Sequence, residues 1–157
     1  MADLLQFGFL ATISAIICWE DIRRFRIPDL ANALLFAGGL GVRLSQGWYA
    51  MSVGALNACV VFVCVLTLRN ALTKLRGRSA LGMGDVKLMA ASSVWLDLSD
   101  IPCFVLIACC SALVFVAVTF RSVDGSVADR RIPFGPFLCL SLLMTWAMEH
   151  LRPLNLG

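Results

Sequence analysis

Leu81-Gly82-Met83-Gly84-Asp85-Val86-Lys87-Leu88-Met89-Ala90-Ala91 sets a carboxylate and an amine inside a stretch that is otherwise small and apolar. If a bilayer surrounds it, each ionisable group is expensive. An Asp or Lys at mid-membrane costs roughly 2.5–3.5 kcal/mol on insertion scales, and such a group persists because it has a task or a partner. Gly82 and Gly84 lack side chains and let another helix come close. The stretch therefore predicts a polar group held at a tight helix contact.

The rest of the chain says that a bilayer is present. Of its 157 residues, 60% are hydrophobic and only 15% charged, with a mean hydropathy of +0.87. A soluble domain is about 45–50% apolar and about 25% charged, so the surplus apolar surface faces lipid. No Gly/Ser/Pro-rich linker, internal repeat or low-complexity tract divides the chain, and residues 1–157 read as a single membrane-embedded domain. No run of bases with interleaved aromatics points to nucleic acid as a partner. Met1-Ala2-Asp3 lacks the basic region that opens a secretory signal, so the first apolar segment is expected to be retained. The seven cysteines form no C-x-x-C pair, which speaks against a zinc or redox motif; they are expected to be small buried hydrophobes.

About 17–25 apolar residues cross a bilayer. Leu4–Trp19, Leu30–Leu44, Ala50–Leu68, Leu81–Leu96, Ile101–Phe120 and Ile132–Glu149 fit that pattern, and predict an all-α polytopic membrane protein with about six transmembrane helices. Gly38, Gly39 and Gly41 suggest close packing of the second helix. Arg69–Ala80 is expected to be the main polar connection, as a short helix lying at the interface, and Pro28 breaks any helix continuing from the first span. Ten of the thirteen basic residues fall after the first, third and fifth spans: Arg23, Arg24, Arg26, Arg69, Lys74, Arg76, Arg78, Arg121, Arg130 and Arg131. Positive charge marks the cytoplasmic side, so both termini are expected outside, with Trp48, Trp95 and Trp146 near the outer interface and Trp19 near the inner one.

That topology has a chemical consequence. Asp21 and Asp85 are 64 residues apart in sequence but at similar depth, each at the cytoplasmic end of its span. If the first and fourth spans pack together, the carboxylates meet and share a proton, because two close carboxylates cannot both ionise cheaply. The ionised one can activate water while the protonated one hydrogen-bonds a scissile carbonyl. Such chemistry uses no metal and no cofactor. Solvated helix-end acids are the plainer reading of both residues. Lys87 stands roughly 200° around a helix from Asp85 and is not placed to pair with it; snorkelling to the interface or touching substrate are its two readings. Glu20 points about 100° from Asp21. Asp97, Asp100, Asp124 and Asp129 are expected to be solvated loop residues, and His150 an interfacial one.

At these residues the chain resembles the type IV prepilin peptidases, membrane aspartyl proteases of the GxGD type. Gly82-Met83-Gly84-Asp85-Val86-Lys87 matches the GxGD-x-K element. Asp21-Ile22-Arg23-Arg24-Phe25-Arg26-Ile27-Pro28-Asp29 matches the first aspartate element, and Ile132-Pro133-Phe134-Gly135-Pro136-Phe137 resembles a segment that opens the family's last helix. The resemblance implies catalysis by Asp21 and Asp85, with Gly82, Gly84, Lys87, Pro28, Asp29, Pro133, Gly135 and Pro136 as supporting motif residues. It implies no metal, and a prepilin-like substrate with a basic leader before an apolar helix, cut at the cytoplasmic face of a bacterial inner membrane. The larger family members carry a cysteine-paired N-terminal insertion and also methylate the new N-terminus. Its absence from this sequence implies the compact form of Flp/Tad-type pilus systems, without methyltransferase activity. Asp29 and Asp129 are then candidates for attracting the basic leader. The competing reading is a small ion or proton-coupled transporter that uses Asp85 and Lys87.

Overall fold

The computed structural model describes residues 2–77, 81–120 and 133–151. Among them the chain forms six helices and no strand: α1 (Ala2–Arg24), α2 (Asp29–Ser45), α3 (Trp48–Arg76), α4 (Met83–Ser93), α5 (Ile101–Phe120) and α6 (Gly135–Leu151). Three of these, α1, α3 and α5, are long and apolar enough to cross a membrane. Their outer faces carry Leu4, Ile16, Leu56, Val63, Leu106, Leu113 and Val118, all exposed. Water would not tolerate that much uncovered hydrocarbon; lipid does. The protein is a polytopic membrane protein.

The fourth predicted span is different. Leu81–Leu96 contains only the 11-residue α4, about 16 Å of helix against a hydrocarbon core of about 30 Å. Val86 and every residue from Leu88 to Ser93 are buried. A helix apolar on all sides is enclosed by its neighbours. Here α2, α3 and α6 enclose it, while α6 also packs on α1 and α5. α4 is thus the axle of the bundle rather than a wall facing lipid.

Further expectations change. The polar connection after Leu68 is not a separate interfacial helix: α3 runs on through Arg69 and Lys74 to Arg76. It is closed by Gly77, whose left-handed φ of 69° lets its N–H reach the Thr73 carbonyl at 2.9 Å. Trp95 and Trp146 are core residues, each 5% exposed, not members of an aromatic belt, whereas Trp48 and Trp19 are exposed. Trp95 donates its Nε1–H to the Leu35 carbonyl at 2.9 Å, and Gly39 is where it presses: a Cβ there would stand 2.8 Å from Nε1. Gly38 is crowded in the same way by Phe9, but Gly41 faces nothing within 4 Å and packs against no helix. Finally, Asp100 is buried, not solvated. Of the cysteines only Cys139 is buried; Cys59, Cys64, Cys109 and Cys110 lie exposed on the lipid-facing helices. Arg78, Asp124, Asp129, the bases from Arg121 to Arg131 and Arg152 lie outside the described residues.

Candidate active site

Asp21 reaches the interior because of its place in the helical repeat. Leu10, Ile13, Ser14, Ile17 and Asp21 recur at steps of three and four and form the buried stripe of α1. Glu20, one residue earlier, is turned off that stripe and pairs with Arg24 at 3.3 Å. Asp21 Oδ2 accepts the backbone N–H of Gly135 at 2.9 Å. Gly135 is the first residue of α6, whose opening N–H groups have no partner inside the helix. Pro136, next in line, has no N–H to offer. The Phe134 carbonyl accepts from Phe137 and Leu138, and Pro133 lies half-buried just ahead of it. The segment Pro133-Phe134-Gly135-Pro136 therefore aims one free donor at Asp21. A side chain at its tip would have to displace the carboxylate: a Cβ on Gly135 would stand 2.7 Å from Asp21 Oδ2.

The turn after α1 brings the second half of the site into reach. Phe25 adopts a left-handed φ of 50°, a conformation that costs a bulky residue about 1–3 kcal/mol, while its N–H bonds to the Asp21 carbonyl at 2.9 Å. Pro28 then starts α2 from an extended conformation, and its carbonyl accepts from Asn32 at 3.2 Å. Between them, Ile27 is laid against Gly84, where a Cβ would meet the Ile27 Cβ at 3.1 Å.

Asp85 lies in the first turn of α4, three residues after the N-cap Gly82. The glycines act otherwise than by admitting a neighbouring helix. Gly84 makes room for Ile27 of the connection. Gly82 makes room for the carboxylate of Asp85 itself, whose Oδ2 would lie 2.9 Å from a Cβ there. Arg69 Nε donates to the Leu81 carbonyl at 3.0 Å and so ties α3 to the approach of α4. α4 is not among the three helices long and apolar enough to cross a membrane. Burial, and after it the negative charge of Asp21, push the Asp85 carboxyl up to about 6, against the opposing pull of the Gly82 backbone.

Asp21 and Asp85 line one cleft of about 310 Å³, with Phe25, Arg26, Ile27, Asp29, Gly82, Met83 and Gly84. They share it without α1 and α4 forming one of the principal helix pairs: α2 and α6 each pack on both. Lys87 pairs with Asp29. Its Nζ lies 2.6 Å from Asp29 Oδ1, a largely exposed ion pair, so much of the charge of Asp29 is already answered within the chain. A group of three or more His, Cys, Asp or Glu side chains placed to hold a metal does not occur among the described residues. Neither the Asp21–Gly135 bond nor the Arg69 anchor is legible in the sequence. The first joins residues 114 apart, and the second hides in a basic residue that reads as a topology signal.

With the site in view, the comparison with known proteins is direct. The model of the type IV leader peptidase family matches residues 8–117, which hold both aspartates. The chain belongs to the type IV leader peptidase family. Relatives named prepilin leader peptidase/N-methyltransferase include one from Dickeya chrysanthemi, 30% identical over 90% of this chain and 48% of its own length. One from Burkholderia pseudomallei is 33% identical over 87% of this chain and 44% of its own, and one from Legionella pneumophila 27% identical over 90% and 50%. The chain thus spans about half the length of the relatives it matches. No solved structure matches it. The family match ends before α6, so the contact of Gly135 with Asp21 ties a helix beyond the matched residues to an aspartate within them.

Proposed function

We propose that this chain is an aspartic endopeptidase that removes the basic leader of prepilin-like precursors, with Asp21 and Asp85 as its catalytic pair. The observation that carries the reading is that both carboxylates line one cleft, each with a glycine cleared against it. Family membership and the relatives' name support the substrate class. The ionised member of the pair takes a proton from water, and the resulting nucleophile attacks the scissile carbonyl carbon. The protonated member donates to the carbonyl oxygen; on collapse of the tetrahedral intermediate a proton passes to the leaving amine. Two carboxylates and one water balance the reaction, as two acids pushed to different protonation states do elsewhere. Pro28, Gly82, Gly84 and Gly135 act by placing the pair, and Asp29 and Lys87 flank it.

The excess of basic residues after α1, α3 and α5 supports a cytoplasmic position for the cleft in a bacterial inner membrane. Peptide cleavage alone is proposed; N-methyl transfer, the second activity in the relatives' name, is not carried over.

The test is conversion of a pilin-like precursor to its mature form in membranes. Asp21→Asn and Asp85→Asn are each expected to abolish conversion with insertion intact, and the double variant to be no worse than either single, because residues acting as a unit are strongly non-additive. Glu20→Gln, off the buried stripe, stays active. Near-normal conversion by Asp85→Asn removes the pair and the enzyme assignment with it.

A further inference from the structure

Beside the aspartate cleft runs a second, more open hollow of about 450 Å³. It is walled by Ala33 and Phe36 of α2, Phe62 of α3, and Ala90 and Ala91 of α4. Asp29 lines both hollows, and Lys87, its ion-pair partner, lines the second, so the two lie side by side at that pair. Apart from that ion pair, the lining is apolar but for Asn32. Asn32 is 5% exposed, and neither its amide nitrogen nor its amide oxygen has a hydrogen-bond partner among the described residues.

An unpaired buried amide is an uncommon thing to keep, because losing water without gaining a partner is unfavourable. Asn32 lacks both a donor's and an acceptor's partner at once. A lipid chain can supply neither. A peptide unit supplies both, a C=O for the amide N–H and an N–H for the amide oxygen. The apolar walls then select which part of a substrate lies there, since a basic leader does not suit Phe36, Phe62 and three alanines.

We propose that this groove receives the apolar segment of the substrate on the carboxyl side of the scissile bond, with Asn32 holding a backbone peptide unit of that segment. The inference rests on the peptidase reading above and adds to it a binding direction and a positioning residue. The leader lies on the far side of the aspartates, and the chain passes the Asp29–Lys87 pair on its way into the groove.

The test uses the full chain in detergent or proteoliposomes and a synthetic precursor made of a basic leader and an apolar helix. Asn32→Leu keeps the shape and removes both polar groups. KM is expected to rise about tenfold, the factor that two net hydrogen bonds give, with kcat within twofold. Without substrate the same variant is expected to melt at a temperature no lower than the parent's, because an unpaired amide has been replaced by an apolar group. A merely structural Asn32 gives the opposite signature, a lower melting temperature, and that result overturns the proposal, as does an unchanged KM. A second measurement does not depend on that variant: a photo-crosslinking residue at Phe36, in a chain also carrying Asp85→Asn to hold the uncut precursor. Adducts are expected in the apolar segment after the scissile bond. Adducts confined to the leader, to lipid or to a second copy of this chain overturn the groove assignment. If the unaltered chain fails to cut the precursor, the peptidase reading itself falls; if it cuts while Asn32→Leu is kinetically silent, only the groove does.

Discussion

Replacing Gly135 by alanine adds one methyl group at a position with no room for it. The new carbon would stand 2.7 Å from Asp21 Oδ2, 3.2 Å from its Cγ and 3.3 Å from its Cβ. Either the aspartate swings away or the start of α6 retreats, and both movements break the 2.9 Å bond from the Gly135 N–H. A hydrogen bond to a charged group contributes about 1.5–3 kcal/mol, and the favourable end of a helix adds about 0.3–1 kcal/mol. If about three quarters of that is lost in the transition state, the barrier rises by roughly 1.4–2.8 kcal/mol, and kcat/KM falls about 10- to 100-fold. The assay is precursor conversion by purified protein, normalised to folded enzyme by its thermal transition. Gly41→Ala is the matched control: it is also a helical glycine of this bundle, yet an added Cβ meets nothing within 4 Å. It is expected to cleave normally and to be neutral or more stable by about 0.5–1 kcal/mol. Gly135→Ala within twofold of the parent would refute the claim that α6 positions Asp21.

Asp85→Asn, inactive as an enzyme, is expected to be more heat-stable than the parent at pH 7.5. The Asp85 carboxyl titrates near 6 in the folded chain against 3.8 ordinarily. Between those values the folded state binds the extra proton, so its stability falls as pH rises and the penalty is complete above about 6. The gain from Asn should therefore vanish near pH 4, and thermal unfolding at the two pH values decides it; a lower melting temperature at pH 7.5 sinks the account. Trp95→Phe removes the N–H that reaches the Leu35 carbonyl at 2.9 Å, and should cost about 1 kcal/mol of stability. Trp95 lines the small cavity with Gln6, Arg43 and His150 rather than the aspartate cleft, so activity per folded molecule is expected to be unchanged.

Apolar length is why most of the helices can be read directly from the sequence. Ile101–Phe120 coincides with α5 end for end, because nothing polar interrupts it and Pro102 sits where a helix tolerates proline. α3 outruns its apolar stretch, since a helix has no reason to stop where the hydrocarbon does: Arg69 bonds to Leu81 and keeps the next turn useful. The length and surroundings of α4 are harder to read for a different reason. An apolar run says that water is absent, but not whether lipid or protein replaces it. The small residues Ala90, Ala91, Ser92 and Ser93, all buried, are the trace of protein on every side. The same ambiguity misplaced Trp95 and Trp146, which are amphipathic enough for an interface but here bury the ring and, for Trp95, satisfy the N–H on a helix carbonyl.

The candidate site divides along the same physical line. A carboxylate withdrawn from water needs donors, and inside a helical membrane protein nearly every backbone N–H is already used. The exceptions are the first N–H groups of a helix. Asp85 solves the problem locally: it lies in the first turn of α4, and Gly82 leaves space for its carboxylate over that turn. Both parts of the arrangement fall within four residues, and so it is visible as a motif. Asp21 sits at the other end of its helix, where the backbone presents carbonyls rather than donors. It must borrow the start of a different helix, and Gly135 of α6 supplies it. The two glycine-containing motifs are therefore one device used twice, once in cis and once across the bundle. That also accounts for why α4 is short: a longer helix would carry its N-terminus out to the interface, whereas an 11-residue helix enclosed by α2, α3 and α6 can hold its free end inside the fold, beside Asp21.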